Sequence, residues 1–226
     1  MTMLIAAVND EMYFSNESKK LSHMRKLVLL VLVLSFWGGM AQQMTFDYIA
    51  PFHDGKAAVQ KGNEWGFIND KGELIVSFRS DLVPTEKDGV RTYPRFDSGR
   101  ALIGRDIEGI PHYGYIDMMG SVVVDPVFIN ASVFRNGHAI ALKVNKQTLG
   151  RNEVLGKDVV SYSYNEVVID VDGEMVAFLR GPVHLQYDKE FLKENPAVMS
   201  YFLNDGLVAT QREDATWELH SLKDGM

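Results

Sequence analysis

The chain has no cysteine among its 226 residues. That absence removes disulfides, thiolate nucleophiles, lipid attachment through cysteine and cysteine-based zinc sites together. Stability must therefore come from an apolar core. Basic residues are also outnumbered, with 23 Lys and Arg against 30 Asp and Glu and a net charge of −7. A surface of that sign repels phosphate backbones, which argues against a nucleic-acid partner. The apolar run from Leu27 to Ala41 stops short of the roughly 20 residues that a membrane span needs. There is no Gly-x-Ser-x-Gly, no His-Glu-x-x-His and no phosphate loop.

What is present begins with an address. Met24-Arg25-Lys26 is a short basic start, Leu27 to Trp37 is apolar apart from Ser35, and Gly38-Gly39-Met40-Ala41 supplies small residues before a cut between Ala41 and Gln42. This layout predicts a secretory signal peptide over 24–41 and a protein that is secreted, or held in the periplasm or cell envelope. Residues 1–23 are polar and carry Asp10, Glu11 and Glu17. They read as an upstream extension of the gene, with translation starting at Met24. Residues 1–41 hold four of the basic and three of the acidic side chains, so the remaining 185 residues carry a net charge of −8. That length is enough for one core.

The rest of the chain, 42–226, repeats one pattern. Its clearest copy is Phe52-His53-Asp54-Gly55-Lys56-Ala57-Ala58-Val59, followed by Trp65-Gly66-Phe67-Ile68-Asn69-Asp70-Lys71-Gly72. Strands are expected over Lys56 to Gln60, Trp65 to Ile68 and Glu73 to Val76, with turns at Lys61 to Glu64 and Asn69 to Gly72. Because side chains alternate along a strand, Trp65 and Phe67 should share one face and Gly66 and Ile68 the other. Gly66 leaves bare backbone that a ring or a neighbouring strand can approach.

A second copy runs from Phe96, Gly99 and Ala101 through Tyr113-Gly114-Tyr115-Ile116 to Gly120. A third runs from Phe134, Gly137 and Ala139 through Glu166-Val167-Val168-Ile169 to Gly173. From the first glycine to the turn glycine is 17 residues in the first copy, 21 in the second and 36 in the third. The third thus carries an insertion within Asn145 to Asn165, and a long connection, Arg79 to Arg95, separates the first two; both read as loops. Phe46 to Phe52 and Phe128 to Phe134 repeat as lead-ins. Asp188 to Pro196 predicts a short helix, with Asp188 as N-cap and Pro196 as stop. A degraded fourth copy follows, with Leu203-Asn204-Asp205-Gly206 and Trp217-Glu218-Leu219-His220.

The expectation is an all-β fold of repeated three-stranded meanders, stacked as a solenoid or curled towards a propeller, with a short helical insertion near the C-terminus. Units fall at about 46–78, 90–126, 128–179 and 203–226. Phe-x-x-Gly-x-Ala, then Trp-Gly-Phe-Ile and a turn ending in Gly, resembles the WG β-repeat family over roughly 46–179, with an echo at 203–225. The aromatic-glycine pair is lost at Glu166-Val167, which leaves the register of the third unit open. The resemblance implies a β-rich array of a kind mostly bacterial and often exported. It brings no catalytic residues to carry over.

Candidate chemistry is sparse. His53, His112 and His138 occupy different repeat phases, so no shared metal site is expected. Asp170-Val171-Asp172-Gly173 lacks the further ligands of a calcium loop and reads as a turn. Asp54, Asp97, Asp117 and Asp170 could supply the acids of a glycan-directed hydrolase, yet all stand where backbone geometry alone favours aspartate. Trp65, Phe67, Tyr113 and Tyr115 recur at matched positions. They are candidate binding residues if exposed and core if not. The expectation is a non-enzymatic binding module for a protein, peptide or glycan, with no cofactor, no metal and no membrane span after signal cleavage. An envelope or glycan-directed hydrolase using the turn aspartates is the alternative.

Overall fold

The computed structural model describes residues 44–89, 91–192 and 195–222, together with Arg25. The expected upstream extension and signal peptide, Arg25 aside, lie outside the described residues.

The first three repeats open at a turn written in two residues. Asp54-Gly55, Ser98-Gly99 and Asn136-Gly137 all hold both residues at positive φ, near 50° and 71–83°. That pair of angles makes a two-residue hairpin turn whose twist matches its strands, and Asp, Asn and Gly reach it at least cost. In the first unit the turn joins β1 (Tyr48–His53) to β2 (Lys56–Lys61), and β3 (Glu64–Ile68) and β4 (Leu74–Arg79) follow in a four-stranded antiparallel sheet. The connection to the second unit holds a small ribbon of β5 (Glu86–Lys87) and β6 (Thr92–Tyr93).

The second unit is β7 (Ala101–Ile107), β8 (Ile110–Ile116) and β9 (Val122–Ala131), and the third is β10 (Ala139–Asn152), β11 (Lys157–Ile169) and β12 (Met175–Leu185). They share one six-stranded sheet because β9 serves both: it pairs with β8 as far as Phe128 and with β10 from Phe128 to Ala131. A three-stranded sheet of β13 (Ser200–Asn204), β14 (Leu207–Gln211) and β15 (Trp217–Ser221) follows. Among the described residues all pairings are antiparallel, and none of the sheets closes on itself.

Register proves that the units are copies. Ala57 faces Ile68, Ala101 faces Ile116 and Ala139 faces Ile169. Three residues further along, Gln60 faces Trp65, Gly104 faces Tyr113, Leu142 faces Glu166 and Gln211 faces Trp217. The third unit therefore keeps its register, with Glu166 in the place of the first aromatic. Each unit also has a fourth, lead-in strand segment beyond the three expected. It is β1 in the first unit, Leu82 bridged to Ile103 in the second, the end of β9 in the third and β13 in the fourth.

The glycine of the aromatic-glycine pair marks a bulge. Between Trp65–Arg79 and Phe67–Val76 the third strand takes three steps to the second strand's two. Between Tyr113–Phe128 and Tyr115–Val124 it takes four. The surplus backbone folds over the glycine: a Cβ on Gly66 would lie 2.8 Å from the Val76 carbonyl oxygen, and one on Gly114 2.7 Å from both the Asp125 carbonyl carbon and the Pro126 nitrogen. In the third unit the bulge stays in place without the glycine: from Glu166–Arg180 to Val168–Ala177 the third strand again takes three steps to two, with Val167 in the glycine position. A second bulge lies further out, opposite Asn165, between Tyr164–Val183 and Glu166–Arg180, where a Cβ on Gly181 would meet the Asn165 side chain at 2.5 Å.

Two expectations are corrected. The insertion at Asn145 to Asn165 is not a loop but a continuation of β10 and β11 into a long hairpin, paired from Ala139–Ile169 out to Asn152–Lys157. The predicted helix is one hydrogen-bonded turn, with the Asp188 carbonyl accepting from the Phe191 and Leu192 N–H groups. No helix longer than that turn stands in 188–192, residues 193 and 194 lie outside the described set, and 195 to 199 is irregular. Leu192 is buried against Ile110, Ile129, Leu142, Tyr164 and Leu185, so packing decides the path of this segment against its helical propensity.

The core is one contact made three times. Ala58, Trp65, Phe67 and Val76 of the first unit pack on Phe96, Ala101, Ile103 and Ile116 of the second. Leu102, Tyr115 and Val124 of the second pack on Phe134, Ala139, Ala141 and Ile169 of the third. Ile140, Val168 and Leu179 of the third pack on Val208, Phe202 and Leu222 of the fourth. At the centre the repeat Phe of one unit meets the second aromatic of the unit before: Phe96 on Phe67 at 4.5 Å between ring centroids, and Phe134 on Tyr115 at 4.6 Å. Burial of each such ring contributes roughly 1.5–3 kcal/mol. In the fourth unit Phe202, not the expected Leu203, fills the Phe position, because Phe202 faces Val208 as Phe52 faces Ala57 and a bulge sets Leu203 aside.

Candidate interaction surface

Of the aromatic residues expected to form a strip, Trp65, Phe67 and Tyr115 are buried at 6%, 0% and 0% exposure. Tyr113 is half-buried, its hydroxyl accepting a 2.7 Å hydrogen bond from the Asn195 side chain. The Tyr115 hydroxyl donates to the Ser132 carbonyl at 2.6 Å, and burial pushes its ionisation far above the ordinary tyrosine range. The three buried rings hold units together, and Tyr113 keeps part of its surface open. They sit there because the stack needs apolar volume on the side of each sheet that meets the next unit.

The histidines are dispersed in separate hydrogen bonds. His53 Nε2 lies 2.9 Å from the Tyr93 hydroxyl with the two rings stacked. His112 is buried, with Nδ1 2.9 Å from the Ile110 carbonyl and Nε2 2.8 Å from the Tyr187 hydroxyl. Among the described residues no cluster of His, Asp or Glu has the geometry to hold a metal ion.

The turn aspartates act on their own backbone. Asp117 Oδ1 accepts from the N–H groups of Met119 and Ser121, both at 2.9 Å, and Asp170 Oδ1 from those of Asp172 and Glu174 at 3.0 and 2.9 Å. Asn69 does the same in the first unit. Asp97 pairs with Arg95 at 3.1 Å, and Asp54 Oδ2 accepts from the Gly99 N–H at 2.6 Å. That last bond belongs to a ladder across the units. Ser98 Oγ accepts from the Gly137 N–H at 2.8 Å, and the Asn136 amide donates to the Asp205 carboxylate. Asp54, Ser98, Asn136 and Asp205 all precede their repeat glycine, so the ladder ties each opening turn to the next.

A cleft of about 520 Å³ runs between β12 and the C-terminal sheet, lined by Arg180, Arg212, Glu213, Asp214, Glu218 and His220 among others. Its charges answer one another, with Arg212 3.1 Å from Glu218. The hydroxyl and N–H of Thr216 hold the Asp214 carboxyl below the usual carboxylate range.

The open apolar surface lies on the outer face of the C-terminal sheet. Across its strands Tyr201 faces Ala209, which faces Leu219, and Trp217 faces Gln211. Tyr201, Trp217 and Leu219 are 49%, 52% and 61% exposed, and Leu203 beside them is 45% exposed. Trp217 and Leu219 occupy the register positions of Trp65 and Phe67. Tyr201 and Trp217 meet edge to face, 5.4 Å between centroids at 77°, much as Tyr48 meets Trp65 at 6.0 Å and 83°. The same surface that is core in the first three units is open in the fourth. The identity of Trp217 as a repeat aromatic was legible in the sequence. Its exposure was not.

Comparison with known families places a WG containing repeat at residues 43–65, 65–90 and 113–146. The matches span the first unit and run from the middle of the second into the third, and the register described above carries the repeat on to β15. No curated protein matches the chain. No solved structure does either.

Proposed function

From a chain built of WG β-repeats, we propose an exported, non-enzymatic interaction module that docks a protein partner on the outer face of its C-terminal sheet. The carrying observation is the exposure of Leu219 at a position whose counterparts Phe67, Tyr115 and Val168 are buried in every earlier unit, with exposed Tyr201 and Trp217 beside it. An apolar surface of unit-stacking design, left open, is a binding surface by construction. Protein is favoured over glycan by the ring geometry: sugar stacking wants a flat ring face, whereas Tyr201 and Trp217 stand at 77° to each other beside two aliphatic side chains. The repeats supply a rigid frame, and the open arrangement of the sheets suits an extended array. Export to the envelope or beyond rests on the signal-like segment at 24–41.

The hydrolase alternative draws less support, because Asp117 and Asp170 spend a carboxylate oxygen on two backbone N–H groups each and belong to separate units. The test is capture of partners from envelope fractions by the purified protein, compared with Trp217→Ala, Leu219→Asp and Asp117→Asn. Loss of a captured partner with the first two variants and not the third is the expected result. Capture unchanged by Leu219→Asp would overturn the assignment of the surface.

A further inference from the structure

Resting on that reading of the C-terminal face, we infer that its occupant is a second copy of this chain, bound head to tail through Phe52. The repeat contact has two halves. One unit offers the second aromatic position, and the following unit offers the repeat Phe. Within the chain the halves meet three times: Phe67 with Phe96, Tyr115 with Phe134, and Val168 in one cluster with Phe202. Among the described residues one of each half stands without its counterpart. The unmatched Phe is Phe52 on β1, and the unmatched receptor position is Leu219 on β15.

The structure leaves both in the open. Phe52 is 52% exposed, against 1% for Phe96 and Phe134, and Leu219 is 61% exposed, against 0% for Phe67 and Tyr115. Their settings match as well. Phe52 stands opposite Ala57 in the same register as Phe202 opposite Val208, so its ring is presented as a repeat Phe is presented. Ile49, also exposed, lies beside it on β1; the rest of this face, Ala57, Val59 and Ile68, is covered by Phe46, Leu74 and Phe78, so the head consists of Phe52 and Ile49. At the other end Ala209 stands in the place of Ala58 and faces Leu219 as Ala58 faces Phe67, with Tyr201 across from Ala209 and Trp217 beside Leu219. The turn ladder points to the same ends, since Asp205 holds the position from which Asp54 and Ser98 reach the next unit's glycine N–H, and the space around Gly55 is open. A contact between two different surfaces of one chain is heterologous and can propagate or close into a ring.

This geometry dictates a complementation test on the full chain. Phe52→Asp spoils only the head and Leu219→Asp only the tail, and because both side chains are exposed each variant keeps the wild-type unfolding midpoint. By analytical ultracentrifugation the wild type should gain mass with concentration beyond a dimer, up to about 100 µM, the range in which a small interface registers. Each variant alone should stay monomeric. An equimolar mixture should form dimers and go no further, since it holds one good head and one good tail. A monomeric wild type overturns the inference, as does a mixture that stays monomeric or assembly that survives Phe52→Asp. The outcomes separate from those of the proposed function: Leu219-dependent capture of another protein by a monomeric wild type would defeat self-association and leave the interaction surface standing, whereas capture and assembly both indifferent to Leu219→Asp would defeat both.

Discussion

Replacing Gly114 by alanine should be among the most damaging single-methyl changes available in this protein. Its added Cβ would stand 2.7 Å from the Asp125 carbonyl carbon and the Pro126 nitrogen, and deeper still into the Val124 carbonyl oxygen. All three obstacles are main-chain atoms of β9, which pairs on both sides and joins two units. No rotamer change relieves such a clash; the strand itself must move. Overpacking ordinarily costs 1–3 kcal/mol, and a backbone obstacle belongs at or above the top of that range, so about 3 kcal/mol or more is expected for Gly114→Ala. Gly66→Ala meets one backbone atom at 2.8 Å and two side-chain carbons at 3.2 and 3.4 Å that can yield, and should cost roughly 1–3 kcal/mol. Gly150 is the control: it has no heavy atom within 4 Å of a built Cβ and no positive φ, so its alanine variant should be neutral or stabilising by up to about 1 kcal/mol. Against a total stability of about 5–15 kcal/mol these steps are resolved by urea unfolding followed by circular dichroism. The order Gly114, Gly66, Gly150 is the claim. A Gly114→Ala midpoint equal to that of Gly150→Ala would refute the bulge as the reason for the motif.

Three further outcomes follow from the same contacts. Burial pushes the Glu166 carboxyl above its ordinary range, an effect only partly offset by hydrogen bonds from Ser200 and the Met199 N–H and by the charge of Arg180. A raised folded-state value means the stability is whole below about pH 4.5 and falls as pH rises through the folded value. Glu166→Gln should therefore be the more stable form at pH 7, with the advantage shrinking to nothing in acid; a pH-independent difference between the two denaturation midpoints would refute the assignment. Asp117→Ala removes an acceptor from two exposed turn N–H groups that water can partly serve, so a loss of about 1 kcal/mol is expected, and Asp117→Asn should restore most of it by supplying the same Oδ1. Trp217→Ala, by contrast, should change the unfolding midpoint little while weakening partner capture, because its ring is half in solvent.

What the residues determined alone was local. Asp-Gly, Ser-Gly and Asn-Gly impose positive φ and a tight reversal, Asn69, Asp117 and Asp170 close the second turn with their own side chains, and strand alternation assigns Trp65 and Phe67 to one face. These effects act over a few bonds, so the string of letters contains them. The choice of core or surface was made at longer range. Trp65 and Trp217 have the same register, and each meets a tyrosine edge to face, yet one is buried and the other open, because burial depends on what the neighbouring unit brings and not on the strand itself. The same holds for the third unit, where the bulge forms at Val167 without a glycine and a second bulge, beside Gly181, lies further out along the same pair of strands. It holds again for Asp188 to Leu192, whose helical signals yield to the burial of Leu192. Contacts between units are tertiary facts, and the pairing of a free Phe52 with a free Leu219 appears only once they have been traced.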